Sequence, residues 1–424
     1  MDHIRSYYAA SANPSAERPP LAGDVSADVC IVGAGIAGCS TALHLAERGY
    51  KVVVLEGRRV GWGASGRSGG LAIFGYAAGQ DKLAAQVGED AARRMFDISV
   101  EALDLLKSRV QRHAIDCDLH WGQMHVAIKP RHESELKAWQ EELVAKYGYT
   151  SLQWLEKPQV RHLLETDRYL GGLLDTRSGH LHPLNYTLGL AAAAEAAGAR
   201  ICDDSLVTGI EHGATATVRT AHGNVTAKHV VLCCNAYIDE TVSRALRARI
   251  MPVGTYIVAT EPLGEVRMRA LMRENHAVTD INWVLDYFRR SADHRLLFGG
   301  RVSYSGLNPA TTHRATRTRM LKVFPQLEDV KIEYAWGGFV DISMSRAPDF
   351  GRIATNVYYL QGFSGHGIAL TGMAGKLVAE TVAGQAERFD LFAKLQHRDF
   401  PGGPALRMPA LVLAMLWFRL KDLL

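Results

Sequence analysis

Gly33-Ala34-Gly35-Ile36-Ala37-Gly38 is a G-x-G-x-x-G run, and its surroundings constrain this chain more than any other feature. Asp28–Val32 (DVCIV) predicts a short apolar strand before it. Behind it, Ile36–Arg48 carries Ile36, Cys39, Leu43 and Ala46 on one helical stripe. Lys51–Leu55 (KVVVL) then predicts a second strand, whose β-branched run without alternation suits a parallel strand covered on both faces. In such a unit the first glycine allows a sharp turn, the second admits a pyrophosphate to the backbone, and the third packs the helix on the strands. The helix start offers N–H groups and partial positive charge to the diphosphate. Glu56 closes the second strand, placed to accept hydrogen bonds from ribose hydroxyls. Val29–Glu56 is therefore expected to be a dinucleotide cradle.

The stretch after Glu56 favours FAD over NAD. Gly57, Arg58, Gly63, Ala64, Ser65, Gly66, Arg67, Ser68, Gly69 and Gly70 lie in a loop too rich in glycine for regular structure. Small residues with Ser and Arg suit a loop laid along a long, polyhydroxylated, phosphorylated ligand. A second strand–loop–helix unit, Val357–Gln361 with Gly362-Phe363-Ser364-Gly365-His366-Gly367-Ile368 after it, aims another helix start at a ligand. Beside a flavin, it would stabilise negative charge on the reduced ring. A disulfide reductase would need a second cradle and an active cysteine pair. None of the six cysteines forms Cys-x-x-Cys, and Cys30 and Cys39 fall in core elements, so reduced structural thiols are expected. No metal-ligand spacing appears, and the net charge of +4 comes without a basic run interleaved with aromatics, which argues against nucleic acid.

Helices are expected over 81–112, 132–147, 183–198 and 311–324, and strands in the stretches 201–234, 250–261, 282–290 and 295–303. The mixture gives an α/β fold with an inserted α+β part. Residues 1–27 form an N-terminal arm; 28–80, 150–245 and 335–400 form the cofactor domain; 81–149 and 246–334 form the substrate domain. Residues 401–424 are assigned to a C-terminal amphipathic helix. Its apolar stretch Met408–Phe418 is shorter than the ~20 residues needed to span a bilayer, and Met1–Gly23 has no apolar core like that of a signal peptide. A cytoplasmic location is the default expectation.

GAGIAG, EGRRVGWGASGRSGG, CCNAY, WGGFVDIS and GFSGHGIALTGMAG together resemble the D-amino-acid oxidase/glycine oxidase superfamily, and within it the gamma-glutamylputrescine oxidoreductases. The likeness covers essentially the whole chain. It implies a Rossmann-like FAD domain of the GR2 type with an inserted substrate domain built on a mostly antiparallel sheet. It also implies FAD held by Gly33–Gly38 and Glu56, with Arg58 beside the adenosine and Ala64, Ser65, Gly66, Gly69 and Gly70 along the diphosphate, ribityl chain and ring. Val207 falls where relatives bind adenine, with Asn235 and Ala236 near the same end. Gly337, Gly365, His366, Gly367 and Ile368 would flank the isoalloxazine.

The implied reaction is oxidation of an amine C–N bond, giving imine, then aldehyde and ammonia, with O2 or another acceptor taking the electrons. Candidate substrate-side residues are His366, Tyr256, Trp283 and Arg301, with Tyr287, Arg289 and His182 nearby in the sequence pattern. An aromatic wall suits a diamine stem and an arginine suits a carboxylate. The alternatives are an amino- or imino-acid dehydrogenase feeding a membrane acceptor through peripheral contact of the C-terminus, and a flavoprotein that binds FAD for structure alone.

Overall fold

The computed structural model describes residues 2–303 and 309–403, together with Pro409, Val412, Leu413, Trp417, Lys421 and Asp422. The β-branched run of the sequence becomes an interior strand of a sheet. Its strands lie in the order Asp349–Ala354, Val357–Gln361, Gly223–Leu232, Val25–Val32, Val52–Leu55, Arg200–Cys202, parallel except for the antiparallel first strand. A hairpin, Val207–Glu211 and Ala216–Thr220, hangs from Gly223–Leu232. Val25–Val32 is the point where the order reverses: the chain leaves it for Val52–Leu55 on one side, while Gly223–Leu232 lies on the other. Open α/β sheets bind ligands at the carboxyl ends of the strands at that point.

Helices Ile36–Ala46 and Gly367–Val382 pack face to face on this sheet. Ser40 Oγ donates to the Gly372 carbonyl at 2.7 Å, and a Cβ on Gly375 would lie 2.7 Å from the Thr41 nitrogen, so the two backbones nearly touch. The opposite face is sealed by Leu21 from the arm and Val207 and Val218 from the hairpin, packed with Val225 of the sheet.

The second sheet runs Ile332–Ser343, Ile250–Thr260, Leu296–Ser303, Tyr287–Arg290, Ala277–Asp280, His120–Ala127, Gly171–His180, Leu71–Ala72, with Leu152–Glu156 beside Gly171–His180. Only Ala277–Asp280 and His120–Ala127 pair in parallel. The expected mostly antiparallel sheet is present. Its core stacks Phe288 on Phe298 at 5.7 Å and closes with Phe324, Met124 and Val278.

Segment membership departs from the expected boundaries. Leu152–Glu156, Gly171–His180 and most of Ile332–Ser343, assigned by sequence to the cofactor domain, are strands of the second sheet. The helix Glu89–Arg112, assigned to the substrate domain, buries Met95, Phe96, Leu103 and Leu106 in the same core as Leu43 and Val378. Ion pairs fix it there: Arg109 to Glu47 and Lys376 to Glu101, both at 2.7 Å. An amphipathic stripe shows that a helix packs, not against what. The arm is packed as well. Tyr8 is fully buried, edge-on to His182 and Trp336, and Arg18 pairs with Glu195 at 2.7 Å.

The helix expected over 401–424 lies largely outside the described residues. Where it is described, the Asp422 carboxylate accepts from the backbone N–H of Trp283 and Val284 at 2.8 and 3.0 Å, docking that end on the second sheet. Among the described residues no helix is long and apolar enough to cross a membrane.

Candidate active site

The carboxyl ends of the parallel strands put three loops side by side. Gly33 N–H donates to the Leu55 carbonyl and Cys233 N–H to the Val32 carbonyl, each at 2.8 Å, so the turns after Val32, Leu55 and Leu232 are stitched together. Gly33 has φ +102 and lies against the Cys233 carbonyl, where a Cβ would sit 2.8 Å from its oxygen; only glycine makes this turn without strain. A Cβ on Gly38 would drive into the Gly33 carbonyl oxygen, the close helix–strand packing expected of the third glycine. Gly35 is the N-cap of the helix and offers no side chain. The Ser65 hydroxyl accepts from Ile36 N–H at 3.0 Å, which brings the turn Ala64–Gly66 onto the helix start.

Glu56 sits among these groups. Its carboxylate accepts from Ala34 N–H at 2.8 Å and Arg58 N–H at 2.9 Å. Burial pushes it up to about 7, against the pull of those two donors. The segment before Val207 is laced to it: Glu56 N–H donates to Cys202, Ser205 N–H to Glu56 and Asp204 N–H to Arg58, at 2.7–2.9 Å. Leu206 covers Gly57. The structure thus brings Val207, Glu56, Gly57 and Arg58 to one end of the cradle.

Arg67 faces the other way. Its guanidinium lies 4.4 Å from the Trp62 ring centroid and donates to the Trp62 and Gly63 carbonyls, and its own carbonyl accepts from the Trp336 indole at 3.0 Å. The Ser68 hydroxyl is buried without a partner. Gly69 packs against the Tyr287 ring, and Gly70, with φ +78, is wedged under the Leu181 carbonyl.

The second glycine loop is pinned by a residue that no sequence motif singles out. Asp341, buried at the end of Ile332–Ser343, accepts from the N–H groups of Gly362 and Phe363 and from the Asn235 amide, whose nitrogen faces it. Burial pushes the Asp341 carboxyl up to about 7, while those donors hold it down. Asn235 (φ +51) therefore ties the CCNAY turn to the Gly362 loop, and Ala236 is buried beside it. Ser364 N–H donates to the Asp341 carbonyl at 3.0 Å. The loop then opens into Gly367–Val382 with His366 as N-cap, leaving Gly365 exposed and Ile368 buried.

His366 is held down at about 4 by burial, then by Arg346 and His125, so it is neutral at pH 7. Tyr256 stands opposite Gly337 across the sheet, its ring 2.8 Å from where a Cβ would sit. Arg301 pairs with Tyr256 on the other flank, but its side chain lies outside the described residues.

Three candidates have other employment. Arg289, 2 % exposed, donates to the Gly69 and Leu181 carbonyls at 2.9 Å and to Tyr8 Oη at 3.0 Å, so its guanidinium is spent inside the protein. His182 caps Pro183–Ala196 by accepting from Asn185 N–H at 3.1 Å. Trp283 is half-exposed, 5.5 Å from the Lys421 ammonium, in a surface cavity of about 260 Å³ with no wall from either glycine loop. The Cys233–Cys234 pair is unbridged, and burial pushes the Cys234 thiol up to about 12, away from thiolate chemistry. Asp341, Arg346 and His125 were missed. Asp341 lies inside WGGFVDIS and Arg346 just beyond it, but no spacing marks them as site residues.

Among the described residues no cluster suited to a metal is present. A bare helix start, a glycine cradle, a half-satisfied buried acid and an orphaned buried hydroxyl at Ser68 are what a long phosphorylated, hydroxylated ligand would complete. The model of a family described as FAD dependent oxidoreductase matches residues 28–381. The chain belongs to this family of FAD-dependent oxidoreductases. It is 44 % identical over 421 residues to gamma-glutamylputrescine oxidoreductase of Escherichia coli, covering 99 % of each chain. It is 41 % identical to a probable oxidoreductase, OrdL, of Haemophilus influenzae, covering 100 % of this chain and 98 % of that one. The fold matches glycine oxidase from Geobacillus kaustophilus with a TM-score of 0.73 at 21 % identity, over 88 % of this chain and 99 % of that one. In this FAD-dependent oxidoreductase the residues fit the cofactor: Gly33–Gly38 and Ser65 would hold the diphosphate, Glu56 the ribose, and the two glycine loops the remainder.

Proposed function

We propose that this oxidoreductase oxidises the C–N bond of a gamma-glutamylputrescine-like amine, with O2 as acceptor. The observation that carries the proposal is the full-length 44 % identity to gamma-glutamylputrescine oxidoreductase. Overall, amine, O2 and water give aldehyde, ammonia and H2O2. Bound FAD supplies the two-electron acceptor for the hydride leaving the amine-bearing carbon. The chain binds and orients. Tyr256 and Gly337 furnish a narrow wall on the second sheet, and the helix start at His366 directs partial positive charge toward the loop. Neutral His366 adds no full charge at the start of that helix. Anaerobic mixing of the yellow holoenzyme with a panel of amines and amino acids tests the proposal. Bleaching by gamma-glutamylputrescine and rapid recovery in air are expected; no bleaching by any amine would sink it.

A dehydrogenase passing electrons to a membrane acceptor is the second reading, prompted by Leu413 and Trp417, which are 69 % and 57 % exposed. Docking of Asp422 on the Trp283 backbone favours contact with the protein itself. Flotation with anionic liposomes separates the two, and slow recovery in air would accompany the membrane case.

A further inference from the structure

We propose that Arg346 is the specificity-determining residue that receives the carboxylate at the far end of the substrate, with His366 and His125 completing the subsite. This inference rests on the amine-oxidation reading and adds the chemistry by which the non-reacting end is recognised.

Arg346 is delivered by a strained turn. Its φ of +61 is left-handed, a conformation costly for a residue with a Cβ, and its N–H closes on the Ser343 carbonyl at 3.0 Å. The turn is buttressed by Ser343 Oγ donating to the Ala347 carbonyl at 2.8 Å. It is tied to the cofactor-side loop by Ser343 N–H donating to Ser364 Oγ at 3.3 Å. Strain held by neighbours at a loop edge is a mark of a functional position.

Among the described residues the fully buried arginines have acceptors. Arg18 has Glu195, Arg109 has Glu47, Arg295 has Asp293 and Glu333, and Arg289 has three carbonyls and a phenol. Partly exposed Arg346 differs from these: its Nε, like that of Arg168, is buried without a hydrogen-bond partner, and among the described residues no acidic group offsets its burial. His366 Nδ1, at the start of the 16-residue helix, is likewise buried without a partner. His125, like Arg346, lies close enough to His366 to disfavour its charged form. The Nδ1 of His125 lies 3.3 Å from Thr279 Oγ1, and the one carboxylate felt by it, Asp175, is engaged by Tyr149 and by the N–H groups of Arg177 and Ser178. A guanidinium, two imidazoles and a helix start without an anion form a donor set that lacks its acceptor. A planar carboxylate fits the guanidinium fork.

The test compares two acylated putrescines that differ only in a carboxylate, N-glutarylputrescine and N-butanoylputrescine, on the holoenzyme. Wild type should show the lower KM for the glutaryl compound. Arg346→Met should raise that KM roughly 10- to 100-fold, as expected for losing a charged hydrogen-bond partner, with the KM for the butanoyl compound unchanged. Arg346→Lys, which keeps the charge and loses the fork, should fall between and carries the test if the Met variant does not retain flavin. Calorimetry of glutaric acid monobutylamide, which has the carboxylate and no amine to oxidise, should show the same loss of affinity. An equal loss on both putrescines, or unchanged binding of the monobutylamide, would overturn the proposal in favour of a role toward the flavin or the fold. Wild type that binds the monobutylamide through Arg346 yet oxidises no amine would refute the amine reading and leave this subsite standing.

Discussion

Removing the Asp341 carboxylate should cut the second glycine loop free of its sheet. Asp341 is the acceptor for three buried donors: Gly362 N–H, Phe363 N–H and the Asn235 amide. An orphaned buried donor costs about 1–3 kcal/mol. With part recovered by entering water, Asp341→Ala should lose about 3–5 kcal/mol at pH 5, and flavin with it. Asp341→Asn keeps an oxygen for the two backbone donors, while the Asn235 amide can turn its own oxygen to the new NH2. Its cost at pH 5 should stay near 1 kcal/mol. The pH dependence has a defined sign. Because burial raises the folded value to about 7 from 3.8, the carboxyl's contribution is fully present below pH 3.8 and lost as pH rises through about 7. That window is worth about 4 kcal/mol at 1.36 kcal/mol per unit. Asp341→Asn has no proton to lose, so its stability relative to wild type should improve between pH 5 and 8. Urea unfolding of the holoenzyme, monitored by flavin release and far-UV circular dichroism at both pH values, reads these differences. An Asp341→Ala variant within about 1 kcal/mol of wild type at pH 5, or parallel pH profiles for wild type and Asp341→Asn, would refute the reasoning.

Single contacts give further expectations. Gly38→Ala sets a Cβ into the Gly33 carbonyl, so FAD content on purification should fall sharply with a stability loss of about 1–3 kcal/mol; full flavin occupancy would contradict the packing role. Arg289→Met leaves the Gly69 and Leu181 carbonyls without their donor, and should lower the melting temperature while leaving the KM ratio of carboxylated to neutral substrates unchanged. A changed ratio would return Arg289 to the substrate. Cys234, its thiol pushed up by burial, should react with iodoacetamide at pH 8 far more slowly in folded than in urea-unfolded protein, and equal rates would refute its burial.

The glycines at 33, 35 and 38, the β-branched strand 52–55 and the acid at 56 form one short, contiguous pattern, even though Gly33 also lies against Cys233 and Gly35 against Ser65. Backbone turning, helix-start charge and strand burial are local properties, so this cradle was legible in the chain alone, as was the strand–loop–helix unit at 357–382. Only tertiary structure decided what distant pieces meet. The periodicity of Glu89–Arg112 announced an amphipathic helix, but its partner helices were fixed by packing against Leu43 and Val378. Arg289 and Arg346 look alike as letters. One is buried and donates to four oxygens of the fold; the other has a buried Nε with no partner. Asp341 became the clasp of the flavin-side loop because a strand of the second sheet ends where a loop of the first begins. Such roles arise from pairings across long sequence separations, where the free energy of a buried charge depends on neighbours that no local pattern names.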